Sequence, residues 1–301
     1  MQSALLVFLD GIGIGKEDYQ NNPFFKYKFK LFNNYFEDIP KINNEYLNSK
    51  GSYIFPTDAK LGVEGFPQSG TGQTSILCGF NAPAFVGKHF GPFPYSTTIP
   101  ILESQNIFRH FKSHKKNVCF ANGYPKVFFK YIKSIKPRLS STPLACRLSG
   151  VKFRTSSDVR NGKAVTAEII NSRWNQRLKY KLPEIKASTA ARRLLRIASE
   201  NHFTMYEYYL TDYIGHGKYD GNLESAAAIL DDFLYTLLSE LDRSNMTLLV
   251  CSDHGNYEDL SVKTHTLNNC LTISAGKHGE RLASKIKNIS QIKHELINVL
   301  K

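Results

Sequence analysis

Aspartate, histidine and hydroxyl residues recur in this chain where apolar runs end, the positions from which a folded chain can converge donors on a metal ion. Asp10 comes first, directly after an apolar run at 4–9 and ahead of Gly11-Ile12-Gly13-Ile14-Gly15. The pattern is a strand delivering a carboxylate onto a glycine-rich turn. A Walker A loop needs Gly-Lys-Ser/Thr, but Lys16 is followed by Glu17, and a dinucleotide fingerprint needs glycine where Lys16 stands. Asp10 would also repel a phosphate placed over it unless a cation stood between them. Downstream, Ser252-Asp253-His254-Gly255-Asn256 follows another apolar run and sets an oxygen and a nitrogen donor side by side. Asp212-Tyr213-Ile214-Gly215-His216 and Thr264-His265-Thr266 add further donors. Any one histidine reads most simply as a hydrogen-bonded structural residue. Asp and His donors at several strand ends of one chain read as a metal centre.

The stretch Pro67-Gln68-Ser69-Gly70-Thr71-Gly72-Gln73-Thr74-Ser75 begins as a small-residue loop and turns apolar as a helix does. A hydroxyl at a helix N-terminus meets an incoming anion well, because free amides and the helix dipole both favour negative charge. The same residue suits an ordinary N-cap. Ser69 is the candidate nucleophile and Thr71 its rival.

These residues need a scaffold that brings strand ends together. Runs at 4–9, 117–121, 204–210 and 247–251 read as buried strands of a parallel sheet. Between the last two, Leu223, Ala226, Ala227, Leu230, Phe233, Leu234, Leu237, Leu238 and Leu241 recur at helical spacing, which predicts a crossover helix over 222–241. Ligands of such sheets gather beyond the carboxyl ends of the strands, where Asp10, Asp212 and Asp253 stand. The expected fold is α/β, a mostly parallel sheet sandwiched by helices, with its core in 1–123 and 187–301. Residues 124–186 carry scattered prolines and many basic residues, with a β-type segment at 151–155, and read as a small cap or insertion. Residues 24–50 read as a helix followed by a loop.

At 301 residues and 42% hydrophobic, the chain can bury a substantial core. Its apolar runs are too short to span a bilayer, and Asp10 interrupts what would be a signal peptide. Five cysteines without CxxC spacing fit buried thiols in a reducing compartment. A cytoplasmic protein without a membrane partner is expected. The net charge of +13 invites a nucleic-acid reading, but the basic stretches at 112–116 and 126–138 match no nucleic-acid motif. A solvated basic face is expected instead.

Taken together, the motifs resemble the alkaline phosphatase superfamily, and within it the branch of cofactor-independent phosphoglycerate mutase and phosphopentomutase. Asp10-Gly-x-Gly is similar to the family's first metal aspartate. Ser69 stands ten residues before Gly79, as its nucleophile stands before a helix-closing glycine. Asp212, Gly215 and His216 match Asp-x-x-Gly-His, with Gly217 one place earlier than the family's closing glycine. Asp253–Asn256 match Asp-His-Gly-Asn, and His265 matches the last histidine. The resemblance implies two divalent ions, zinc or manganese, one held by Asp10, Ser69, Asp253 and His254 and the other by Asp212, His216 and His265. It implies a phosphatase or phosphomutase acting through a phosphorylated serine on a small phosphorylated substrate, with Lys16 and Arg160 as candidate contacts to its remote part. A sulfatase would carry Cys/Ser-x-Pro-x-Arg, and this loop has neither the proline nor the arginine. A sulfatase-like or phosphodiesterase member, or a metal-binding protein without turnover, is the alternative.

Overall fold

The computed structural model describes all 301 residues. Nine strands form: β1 (Ser3–Leu9), β2 (Leu47–Ser49), β3 (Ser52–Thr57), β4 (Val118–Phe120), β5 (Gly123–Tyr124), β6 (Arg154–Thr155), β7 (Phe203–Tyr208), β8 (Met246–Cys251) and β9 (Cys270–Gly276). Seven of them make one sheet in the order β2-β3-β9-β8-β1-β7-β4. The β8-β1-β7-β4 block is parallel. The remaining strands, β9, β3 and β2, join it antiparallel.

Strand β1 lies between β8 and β7 and is buried along its whole length. Its alternate residues enter opposite cores. Leu5, Val7 and Leu9 pack with helices Ala187–Ser199 and Leu223–Ser239, while Ala4, Leu6 and Phe8 face helices Ser69–Cys78, Ile107–Ser113 and Ile292–Asn298. A strand covered on both faces reads as a continuous apolar run, which is why β1 and β8 are plain in the sequence. The crossover helix appears as Leu223–Ser239, capped by Asn222, whose side chain accepts from the Ser225 amide.

Some boundaries differ from the sequence reading. The strand expected over 204–210 ends at Tyr208, because Tyr209 turns into the αR region and the chain coils into helix Leu210–Gly215. The helix expected within 24–50 breaks into Pro23–Lys26 and a π-helical segment, Leu31–Phe36. Lys28 has φ 49° between them, and the Asp231 carboxylate accepts from the Lys30 and Leu31 amides, each at 2.8 Å. The loop expected afterwards contains β2. Residues 124–186 divide: helix Ser141–Leu148 sends Ala145 and Cys146 into the core beside helix Ser69–Cys78, and Val165 and Ile169 join the other core. Helix Lys126–Tyr131 buries none of its residues.

Leu237 is fully buried in the crossover helix. Leu237→Ala is expected to lower the unfolding free energy by about 2–5 kcal/mol. Urea unfolding followed by circular dichroism measures it, and Leu223→Ala, at a partly buried position, should cost clearly less.

Candidate metal centre

The parallel block ends in carboxylates. Asp10 leaves β1 with its amide bonded to the Tyr208 carbonyl at 2.9 Å, and its own carbonyl accepts from Thr211 Oγ1 at 2.6 Å. Gly11 follows at φ +68°, where a side chain would be strained and its Cβ would lie 3.0 Å from the Asp212 side chain. The turn can therefore pass directly against Asp212. From β8, the Ser252 hydroxyl accepts from the Ile12 amide at 2.8 Å and donates to the His254 carbonyl at 3.0 Å, fixing the loop that holds Asp253 and His254.

One further carboxylate ties these loops together. Glu258 is buried and accepts from the amides of Gly13 and Asn256, each at 2.8 Å, from Asn268 Nδ2 at 3.0 Å and from the Thr266 hydroxyl. Three separate segments, those carrying Asp10, Asp253 and His265, meet on this one side chain.

The nucleophile candidates sit on a different element. Helix Ser69–Cys78 is buried throughout and ends at Gly79 in the left-handed region. Lys293 Nζ donates to the Cys78 carbonyl at 3.0 Å, a cation against the negative end of the helix. At the other end, a Cβ on Gly70 would lie 2.0 Å from the Phe93 carbonyl oxygen, so only glycine lets this loop approach so closely. Ser69 Oγ lies 3.0 Å from His254 Nε2. Thr71 Oγ1 is engaged with the backbone of Phe90, accepting from its amide at 3.1 Å.

Two donor groups form, and they share Asp212: Asp212 with His216 and His265, and Asp10 with Asp212 and His254. His216 Nε2 and His265 Nε2 lie 3.3 and 3.4 Å from Asp212 Oδ1 and 3.2 Å from each other. His254 Nε2 lies 3.4 Å from Asp10 Oδ1 and 3.6 Å from Asp253 Oδ1. The His254 ring stacks on that of His265, centroids 3.6 Å apart, so the two groups adjoin.

The donors fit divalent cations. His216 Nδ1 is 2.8 Å from the Lys263 carbonyl and His265 Nδ1 is 2.6 Å from the Pro67 carbonyl, bonds that place the proton on Nδ1 and leave the Nε2 lone pairs facing the cluster. Asp10 Oδ1, Asp253 Oδ2 and His254 Nδ1 are buried and have no hydrogen-bond partner within the protein. Mixed imidazole and carboxylate donors suit zinc or manganese better than magnesium alone.

Other residues reach this place unannounced by the sequence. Glu207, the last residue but one of β7, lines a cavity of about 450 Å³ together with Asp10, Ser69, Asp212, Tyr124 and Arg138. Asn122 brackets the Glu207 backbone, donating to its carbonyl at 2.7 Å and accepting from its amide at 2.8 Å. Lys218 and Lys263 line a second cleft with Ser69, His216 and His265. Of the two expected remote contacts, Lys16 lies in a cleft that includes His265 but not Asp10 or Ser69. Arg160 lines a separate cavity with Lys126, Ser156 and Tyr180, which none of the seven candidate ligands reaches.

The family model described as Metalloenzyme superfamily matches residues 150–301, half of the chain and the half that carries Asp212, His216, Asp253, His254 and His265. The chain belongs to the metalloenzyme superfamily. As a superfamily member it is 30% identical over 93 residues to the 2,3-bisphosphoglycerate-independent phosphoglycerate mutase of Mycoplasmoides gallisepticum, a match covering 29% of this chain and only 18% of that protein. Its fold is that of the PH0037 protein from Pyrococcus horikoshii (12% identity, TM-score 0.57, 99% and 96% of the two chains). It is likewise that of the alkaline phosphatase from the Antarctic bacterium TAB5 (13%, 0.53, 99% and 98%). The α/β fold expected of an alkaline phosphatase-like metalloenzyme is thereby established.

Without cations this cluster of carboxylates is electrostatically costly. Burial, then the charges of Asp212 and Glu207, raise the Asp10 carboxyl well above the carboxylate range. Burial and Asp10 push Asp253 up to about 7, and burial and Asp253 push Glu207 up to about 8. Asp212 goes the other way: burial opposes ionisation, but hydrogen bonding from His265, the nearby His254 and a hydrogen bond from Asn256 hold it low. In the unfolded chain Asp titrates near about 3.9 and Glu near about 4.3. Raised carboxyls favour the fold below those values, and that contribution is lost as pH rises through about 7 to about 8. The chelator-treated protein should therefore melt at progressively lower temperature from about pH 5 to pH 8, and Asp253→Asn should flatten the slope. Differential scanning calorimetry across that range decides it, since a metal-free melting temperature that rises with pH contradicts the assignment.

Proposed function

We propose that this chain is a two-metal-dependent phosphoryl-transfer enzyme, a phosphatase or phosphomutase, acting through a phosphorylated Ser69 on a small phosphorylated substrate. The observation that carries this reading is Ser69 Oγ, 3.0 Å from His254 Nε2 at the start of a buried helix and in the wall of the cavity that holds Asp10 and Asp212. The superfamily's members are mostly phosphoryl-transfer enzymes, which supports an enzyme.

Asp10, Asp253 and His254, with Ser69 among them, would hold one ion, and Asp212, His216 and His265 the other. When bound, two divalent ions supply positive charge that lowers the pKa of a hydroxyl and offsets that of a phosphate. The chain's own part is positioning. Helix Ser69–Cys78, clamped at its far end by Gly79 and Lys293, fixes where Ser69 points, so the hydroxyl can attack phosphorus in line and carry the phosphoryl group as an ester. As that ester forms, Ser69 gives up its proton and the phosphorus–oxygen bond to the substrate breaks, the leaving oxygen departing as a hydroxyl. Water then cleaves the ester to inorganic phosphate, or a substrate hydroxyl takes the phosphoryl group, and in either case the Ser69 hydroxyl is regenerated. The Thr71 hydroxyl, held by Phe90, is the weaker candidate.

Metal analysis should find about two equivalents of zinc or manganese per chain after reconstitution. Ser69→Ala should lower phosphate release by about a thousandfold or more with the fold intact, and Thr71→Ala by no more than about tenfold. A screen of phosphate release from sugar phosphates, phosphoglycerates and nucleotides, run on both variants, tests this. Turnover that survives Ser69→Ala and disappears in Thr71→Ala would assign the other hydroxyl.

A further inference from the structure

Helix Lys126–Tyr131 is built from Lys-Val-Phe-Phe-Lys-Tyr and buries none of these residues. Val127 is 58% exposed and Tyr131 44%, and Ile135 in the following loop is 98% exposed. The segment is nevertheless held in place. Its first amide donates to Tyr180 Oη at 2.8 Å, Phe128 stacks on Tyr124 at 3.9 Å, and Tyr131 Oη binds both the amide and the carbonyl of Arg138, at 2.7 and 2.9 Å. A well-anchored segment thus presents apolar side chains to solvent.

Cations alternate with those side chains. Lys126, Lys130, Lys133, Lys136 and Arg138 fall within thirteen residues, and no aspartate or glutamate occurs between Glu103 and Asp158. The ion pairs of the chain involve none of the five. We propose that this face, helix Lys126–Tyr131 with its loop to Arg138, docks peripherally on anionic phospholipid bilayers. Lysine heads at such a surface meet lipid phosphates while their stems and the apolar side chains enter the boundary between headgroups and acyl chains. Exposed aliphatic residues favour a bilayer over the other polyanions. Val127 and Ile135, more exposed than Tyr131, the segment's one exposed aromatic, offer nothing on which a nucleic-acid base could stack, and an acidic peptide would satisfy the lysines while leaving both in water.

The sequence reading expected no membrane partner because no run spans a bilayer, and no helix of the structure is long and apolar enough to cross one. Surface docking needs no such span. Its geometry bears on the site, since Phe128, Tyr131 and Arg138 also line the cavity of Asp10 and Ser69. Docking would bring these three residues of the cavity wall close to the headgroup layer. The docking itself does not depend on the phosphoryl-transfer reading.

Sedimentation with extruded vesicles tests it, with the purified full chain and no substrate. The wild type should pellet with vesicles of phosphatidylcholine mixed with phosphatidylglycerol and stay in the supernatant with phosphatidylcholine alone. Lys130→Glu/Lys133→Glu/Lys136→Glu should reduce partitioning about tenfold or more. Val127→Ser/Ile135→Ser should reduce it several-fold, with circular dichroism melts unchanged for both variants. In Ile135→Trp, indole emission should shift to the blue on mixing with the anionic vesicles. Absence of pelleting overturns the proposal. So does binding that Val127→Ser/Ile135→Ser leaves intact while heparin or polyglutamate competes equally well, which would mark a plain polyanion surface.

Discussion

The structure is organised around a repulsion. Asp10, Asp212, Asp253 and Glu207 converge where β1, β7 and β8 end, and all but Asp212 have their carboxyls raised by burial and by one another. No lysine or arginine forms an ion pair with these carboxylates, whose ion-pair partners are histidines alone. Protons or cations must neutralise them, and His216 and His265, whose outer nitrogens are committed to the Lys263 and Pro67 carbonyls, are arranged for the second. The parallel block with its two cores is the stiff frame that holds like charges together against their tendency to part.

Most of this centre is legible in the sequence because it sits at abrupt chemical boundaries. An apolar run interrupted by Asp-Gly, or by Ser-Asp-His-Gly, has few other physical readings. Glu207 escapes the same reasoning. It lies in a strand buried at every position, on the face that carries Phe203 and Met205, and its importance comes from the pairing of β7 with β1, which sets Glu207 opposite Phe8 and so near Asp10. Pairing across two hundred residues leaves no local trace. The same holds for β3 and β9. Pro56 argues against a strand locally, yet it pairs with Leu271 inside the sheet. Arg160 shows the converse error of reading by composition: a basic residue in a basic segment belongs to whichever cavity the chain path gives it.

The segment 124–186 shows why composition alone could not assign it. Its scattered basic residues suggest a solvated addition, and helix Lys126–Tyr131 is one. A few residues later, Thr142, Ala145 and Cys146 are fully buried against the helix that carries Ser69. One short stretch thus supplies both an outer surface and part of the support behind Ser69.

The Glu258 knot has a kinetic meaning. In small zinc domains the ligands are scattered until the ion gathers them, so capture of the ion and folding are one event. Here a buried carboxylate has already joined the segments of Asp10, Asp253 and His265 through the protein's own hydrogen bonds. An arriving ion meets a rigid receptor. Capture of an ion would then be limited by the shedding of its hydration shell rather than by the reordering of these loops.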